Sequence, residues 1–150
     1  MLENRSMPRS TVIPVLAYEN VAEASEWLCK AFGFTVRLRI GNHRAQLSVG
    51  DGAVIVTERA GRGSSSQVGA ELRPARAEVS HSVMVRVEDA SRHHEQARQR
   101  GARILQPPAD YPYGERQYTA EDLGGHRWSF SQSIADVAPE DWGGTSATSE

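Results

Sequence analysis

The feature that most limits how this chain can fold is an internal repeat. In YENVAEASEWLCKAFGF, Asn20 stands where a helix cap belongs, with Glu23 as its partner three residues on. Val21, Ala24, Leu28 and Ala31 share one face, and Gly33 ends the run. In VEDASRHHEQARQRGAR, Asp89 takes the cap position, Ala90 and Ala97 mark a thinner apolar face, and Gly101 ends the run. Glu19 and Glu88, each just ahead of a cap, are 69 residues apart, and the two stop glycines are 68 apart. One single-residue gap therefore aligns two copies of the same unit.

The strand signals repeat in the same order. TVIPVLAY precedes the first helix, and FTVRLRI, HRAQLSV and GAVIVTE follow it, divided by Gly41-Asn42 and Gly50-Asp51-Gly52, which are hairpin-type turns. HSVMVRV precedes the second helix, and ARILQPP, ERQYTAE and HRWSFSQ follow. Each half predicts strand, helix and three strands, an α+β chain of two βαβββ modules with mixed sheets. The boundaries fall at a flexible N-terminus over 1–10, a first module over 11–58 and a second over 80–133. A connector over 59–79, rich in Gly, Ser and Arg without periodicity, is expected to be mobile, and a tail over 134–150 to fray.

Composition narrows the function classes. With 39% hydrophobic and 24% charged residues over 150, the chain is in the ordinary globular range. A net charge of -2 without a block of like charges gives no support to nucleic acid or an anionic membrane as partner. The single cysteine, Cys29, excludes an internal disulfide framework and a thiolate zinc cluster. No signal-peptide pattern is present and no stretch nears the roughly 20 apolar residues of a membrane span, so cytoplasmic residence is the expectation.

The two helix motifs together with YGERQYTAEDLGGHRWSF, a close variant of a Gly-x-Arg...Asp-Pro-x-Gly-x-x-Trp ending with Leu123 in place of Pro, resemble the vicinal oxygen chelate superfamily. This is the group of glyoxalase I, bleomycin resistance proteins and extradiol dioxygenases, and the nearest likeness is to its bacterial PhnB-like proteins. The resemblance covers roughly residues 11 to 133. It implies that each sheet curls into a half-cup, that paired modules enclose a cavity, that chains pair as homodimers, and that catalytic members hold a metal through His, Gln or Glu on strands one, four, five and eight.

Strand parity places candidate residues in that cup. Val83, Val85 and Val87 belong under the helix, which leaves Ser82, Met84 and Arg86 for the cavity; Trp128 and Phe130 likewise leave Arg127, Ser129 and Ser131. Counting back from the first helix cap, in line with the family, gives Ile13 and Val15, with Ala17; strand four is assigned Val54, Val56 and Glu58. The four family ligand positions then become Ile13, Val56, Ser82 and Ser129. Hydroxyls and aliphatic chains do not offset the dehydration of a divalent ion, so no metal and no cofactor is expected. His81 and Glu58 are the metal candidates if the strand register slips, and Glu58, beside Arg86 or Arg127, is the candidate general base.

His93 and His94 are expected to face solvent, and His126 to be a turn residue. Tyr113 and Tyr118, with Tyr111, are expected near a Pro-rich loop at the cup mouth, PPADYPYGERQY. An apolar wall from one module facing polar groups from the other describes an organic-ligand pocket. The reading is a metal-independent protein that binds a small organic molecule, aromatic or antibiotic-like, in its cavity, and that pairs as a homodimer. The alternative is an enzyme of the superfamily: a metal-dependent lyase, isomerase or dioxygenase, or a cofactor-free one using Glu58.

Overall fold

A computed structural model describes residues 2–59 and 80–147. The first module runs β1 (Val15–Tyr18), α1 (Val21–Phe32), β2 (Thr35–Ile40), β3 (Arg44–Val49) and β4 (Gly52–Glu58). The second runs β5 (Val83–Arg86), α2 (Ala90–Gln99), β6 (Arg103–Tyr111), β7 (Glu115–Glu121) and β8 (Arg127–Ser133), followed by a 3-10 turn at Pro139–Asp141. The sheets have orders β1-β4-β3-β2 and β5-β8-β7-β6, with β1 parallel to β4 and β5 parallel to β8. These are the two βαβββ modules that the repeat predicts. Except for Arg59, the expected connector lies outside the described residues.

Both helices begin and end where their caps stand. Asn20 accepts a hydrogen bond from the Glu23 amide and Asp89 from the Arg92 amide, each satisfying a donor that the first helical turn leaves unpaired. Gly33 closes α1 in the left-handed region at φ 85°, which a side chain would disfavour.

One core serves both modules. Leu16, Tyr18, Leu28, Phe32, Val54 and Val56 from the first pack with Tyr118, Ala120, Trp128 and Phe130 from the second. The Phe32 ring lies 4.8 Å from that of Phe130 and 5.6 Å from that of Trp128. Fully burying side chains of this size contributes on the order of 1.5–3 kcal/mol each. The helices also meet directly, with Trp27 Nε1 donating to the Arg100 carbonyl at 2.9 Å and the Gln96 amide to the Lys30 carbonyl at 3.1 Å. Each sheet thus turns one face to the helices and this shared core and its other face outward, as a half-cup.

The register decides which residues occupy the outward faces. Leu16 pairs with Val56, and Leu47 with Val54, so Val54 and Val56 belong to the core and not to the cup. The outward residues of β4 are Ala53, Ile55 and Thr57, beside Val15 and Ala17 of β1. Glu58 pairs with Tyr18 on the helix side and ends exposed at the strand terminus, which removes it as a base within the cup. Tyr118 pairs with Phe130 and is buried in the core, correcting its assignment to the mouth. In the second module the parity reading holds: Val83, Val85 and Val87 pack against the core, while Met84 and Arg86 are exposed. Pro107 and Pro108, read as a loop, lie within β6, an edge strand with register shifts, where a missing amide donor costs least.

Candidate functional site

A buried carboxylate joins the two modules. Asp122, 6% exposed, accepts at Oδ1 from the amides of Gly124 and His126, both at 2.9 Å. Its Oδ2 accepts from the Tyr18 hydroxyl at 2.6 Å and from Trp128 Nε1 at 2.9 Å. Burial, and then the adjacent Asp122 charge, push the Tyr18 hydroxyl far above its usual pKa, so it stays a donor. His126, expected as a simple turn residue, reaches across the modules: its Nε2 is 2.8 Å from the Ala17 carbonyl, which only accepts, so Nε2 carries the proton. The Glu-Asp-Leu-Gly-Gly turn is therefore a joint between modules. The Asp ahead of Gly-Gly, a residue type that caps its own turn, was the signal available for it.

His93 forms a second joint. Its Nε2 is 2.8 Å from the Phe32 carbonyl and its Nδ1 2.6 Å from the Tyr118 hydroxyl, so the neutral ring donates to the first and accepts from the second. Burial lowers its pKa and raises that of Tyr118. The expectation that His93 faces solvent is corrected here. Ala90, His93 and Ala97 fall at i, i+3 and i+7, one helical face, and that spacing was legible in the sequence.

The outward face of the second sheet carries a directed polar chain. The Tyr113 hydroxyl donates to Gln117 Oε1 at 3.0 Å, Gln117 Nε2 donates to Ser131 Oγ at 3.0 Å, and Ser131 donates to Glu115 at 2.5 Å. Ser133 donates to the other oxygen of Glu115 at 2.5 Å. Hydrogen bonds from Ser131 and Ser133, with the Arg86 charge nearby, hold the Glu115 carboxyl below the usual carboxylate range. Ser129 lies 3.3 Å from the Thr119 hydroxyl. One end of this face is aromatic: Tyr111 stacks on Tyr113 with centroids 5.5 Å apart, and Trp142 tilts against Tyr113 at 5.1 Å. Trp142 belongs to the stretch expected to fray. The return of that stretch is fixed where Gly114, at φ 87°, comes so close to Ala135 that an added Cβ would sit 2.5 Å from its carbonyl oxygen.

The sequence candidates are thus divided. Met84, Arg86, Arg127 and Ser129 share the outward face of the second sheet, with Tyr113 at its rim. His81 and Ser82 are exposed and precede β5, and Ile13 precedes β1, partly buried. Val15 is on the outward face of the other sheet. Ser131, placed on this face by strand parity, is there as well; sequence reasoning missed Glu115 and Gln117, although their alternation with Tyr118 and Ala120 marks the same face.

On the strands that carry metal in the superfamily's catalytic members, the outward positions hold Val15, Ile55 and Thr57, and Met84, Ser129 and Ser131. This donor set does not fit a divalent ion, because it offers no imidazole or carboxylate. Among the described residues no three His, Cys, Asp or Glu side chains converge as a metal site.

The profile of the Glyoxalase/Bleomycin resistance protein/Dioxygenase superfamily matches residues 12–130. The chain belongs to that superfamily. Among solved structures, TioX from Micromonospora sp. ML1 is 34% identical, with 83% of this chain and 99% of that one covered and a TM-score of 0.66. A superfamily enzyme from Burkholderia phytofirmans PsJN is 12% identical, over 81% of this chain and 97% of that one, with a TM-score of 0.69. A lactoylglutathione lyase from Agrobacterium tumefaciens is 11% identical, over 85% and 96%, with a TM-score of 0.60. The last two share the superfamily fold and no more. No curated protein matches the chain.

Proposed function

We propose that this superfamily member binds a small planar organic molecule on the outward face of its second module, with the metal site degenerate and no bond made or broken. The observation that carries the reading is the polar chain Tyr113–Gln117–Ser131–Glu115 beside the Tyr111–Tyr113–Trp142 stack. A stack accepts a ring face and a fixed row of donors and acceptors orients its substituents, the usual make-up of an organic-ligand site. Glu115, held ionised by two serines, is a poor general base and a good fixed acceptor. The hydroxyl, thioether and aliphatic groups on the metal-bearing strands favour binding over metal chemistry.

The second half-cup is open, with Met84 60% exposed, and Val15 on the edge strand of the first is 53% exposed. A second copy supplies the missing wall, so the binding form is a homodimer. Burying about 300 Å² of apolar ligand at roughly 25 cal/mol per Å² gives about 7 kcal/mol gross, less the ordering cost, which is enough for useful affinity without catalysis.

The test is a thermal-shift screen of planar aromatic compounds. A ligand at 100 times its dissociation constant adds about 2.7 kcal/mol, or about 5–10 °C for a chain of this size. Hits should lose their shift in Gln117→Leu and Ser131→Ala, keep it in His81→Ala, and be recovered unaltered by mass spectrometry. Hits insensitive to both second-module variants, or converted to product, contradict the proposal.

A further inference from the structure

The outward face of the first sheet is already occupied, and the occupant is the chain's own N-terminus. Gln46 points away from the core, on the same face as Ile55, yet it is only 3% exposed. Its side-chain amide donates to the Ser6 carbonyl at 2.9 Å. Arg37, at the register shift between Val36 and Leu38, donates to the carbonyls of Arg5 at 2.9 Å and Met7 at 3.0 Å, and also to Gln46. Three successive main-chain carbonyls are thus held by two side chains of β2 and β3. The segment is itself folded: the Met7 amide donates to the Asn4 carbonyl at 3.1 Å, the Ser6 amide to the Asn4 side chain at 3.0 Å, and Pro8 is buried. Ala53 and Ile55, on that same face, are buried as well.

We propose that residues 4–8 are an intramolecular plug of the first half-cup, and that a ligand spanning both half-cups has to displace it. The inference rests on the ligand-binding reading above and adds its regulation. The second module's face stands open, whereas the first module's apolar strip is reached only when Arg37 and Gln46 release the three carbonyls. A molecule that takes the strip needs a group to replace them, an amide or ester carbonyl facing Arg37. The plug therefore selects for ligands that bear one.

Two measurements test this without knowing the ligand. The first is tryptic release of the N-terminus after Arg5 and Arg9, followed by mass spectrometry. Docking suppresses cleavage, and Arg37→Met, at an exposed position on an edge strand, should speed it on the order of tenfold. The second is binding of 1-anilinonaphthalene-8-sulfonate to the full chain and to a variant lacking residues 2–9. The truncated chain should bind several-fold more dye, and a synthetic peptide of residues 2–10 should reverse the gain. Equal cleavage rates in the wild type and Arg37→Met overturn the proposal, as does unchanged dye binding on truncation. Neither result touches the second-module site, which stands or falls with Gln117→Leu and Ser131→Ala.

Discussion

Removing the charge at the joint between the modules, by Asp122→Asn, should destabilise the protein more than its small change in shape suggests. The carboxylate is buried and accepts four hydrogen bonds, two at each oxygen. With the asparagine oxygen kept toward Gly124 and His126, its amino group faces the Tyr18 hydroxyl and Trp128 Nε1. The hydroxyl can turn and accept; the indole N–H cannot, and a buried donor left unpaired costs about 1–3 kcal/mol. Loss of charge assistance at the remaining contacts brings the total to about 3–4 kcal/mol, and Tyr18→Phe, which removes one such bond, to about 1.5–3 kcal/mol. At roughly 2–4 °C per kcal/mol, Asp122→Asn should lower Tm on the order of 10 °C. Urea unfolding followed by tryptophan fluorescence reads both variants and their combination. Because they share one network, the double variant should fall short of the sum by more than about 0.5 kcal/mol. An Asp122→Asn cost below about 1 kcal/mol, or full additivity, would refute the view that this carboxylate ties the modules together.

Other expectations follow from the same geometry. His93 has a pKa lowered by burial, so the unfolded chain takes up its proton first, and stability should be lost as pH falls through the unfolded value of about 6.5. Thermal melts at pH 7.5 and 5.5 should show a smaller loss for His93→Gln than for the wild type, and equal losses would contradict the assignment. Gly124→Ala would place a Cβ 2.6 Å from the ring of Tyr18, which is buried in the core, and should cost about 1–3 kcal/mol by overpacking; an unchanged urea midpoint would count against that fit. Prolonged dialysis against a chelator should leave both Tm and ligand-induced shifts unchanged, and a loss of either, restored by one divalent metal, would argue for a metal site after all.

What could be read in the sequence and what could not divides along physical lines. Both helices, their caps and the βαβββ order were legible, because Asn20, Asp89, Gly33 and the turn glycines act locally. Parity in β5 and β8 was legible because valines or aromatics alternate there with polar residues. In β4 it was not: Ala53, Val54, Ile55 and Val56 are all buried, since one face meets the core and the other lies under the covered side of the sheet. A continuous apolar run carries no alternation, and the wrong parity put Val54 and Val56 in the cup. Tyr118 was misplaced for a different reason, having been grouped with neighbouring tyrosines although its own alternation with Gln117 and Thr119 points it inward. The contacts of His126 with Ala17, and of Arg37 with the N-terminus, join residues far apart in sequence, and no local pattern announces them.

The most direct test of the ligand-binding account is to map a bound compound onto the protein. In a ¹H–¹⁵N correlation experiment, titration with a planar aromatic hit should shift the amides of Gln117, Thr119, Ser129 and Ser131, the Gln117 side-chain amide and the Trp142 indole. The core signals of Leu28 and Phe130 should stay in place. Shifts confined to the exposed ends of the helices, with the second module's outward face unmoved by every hit, would contradict it.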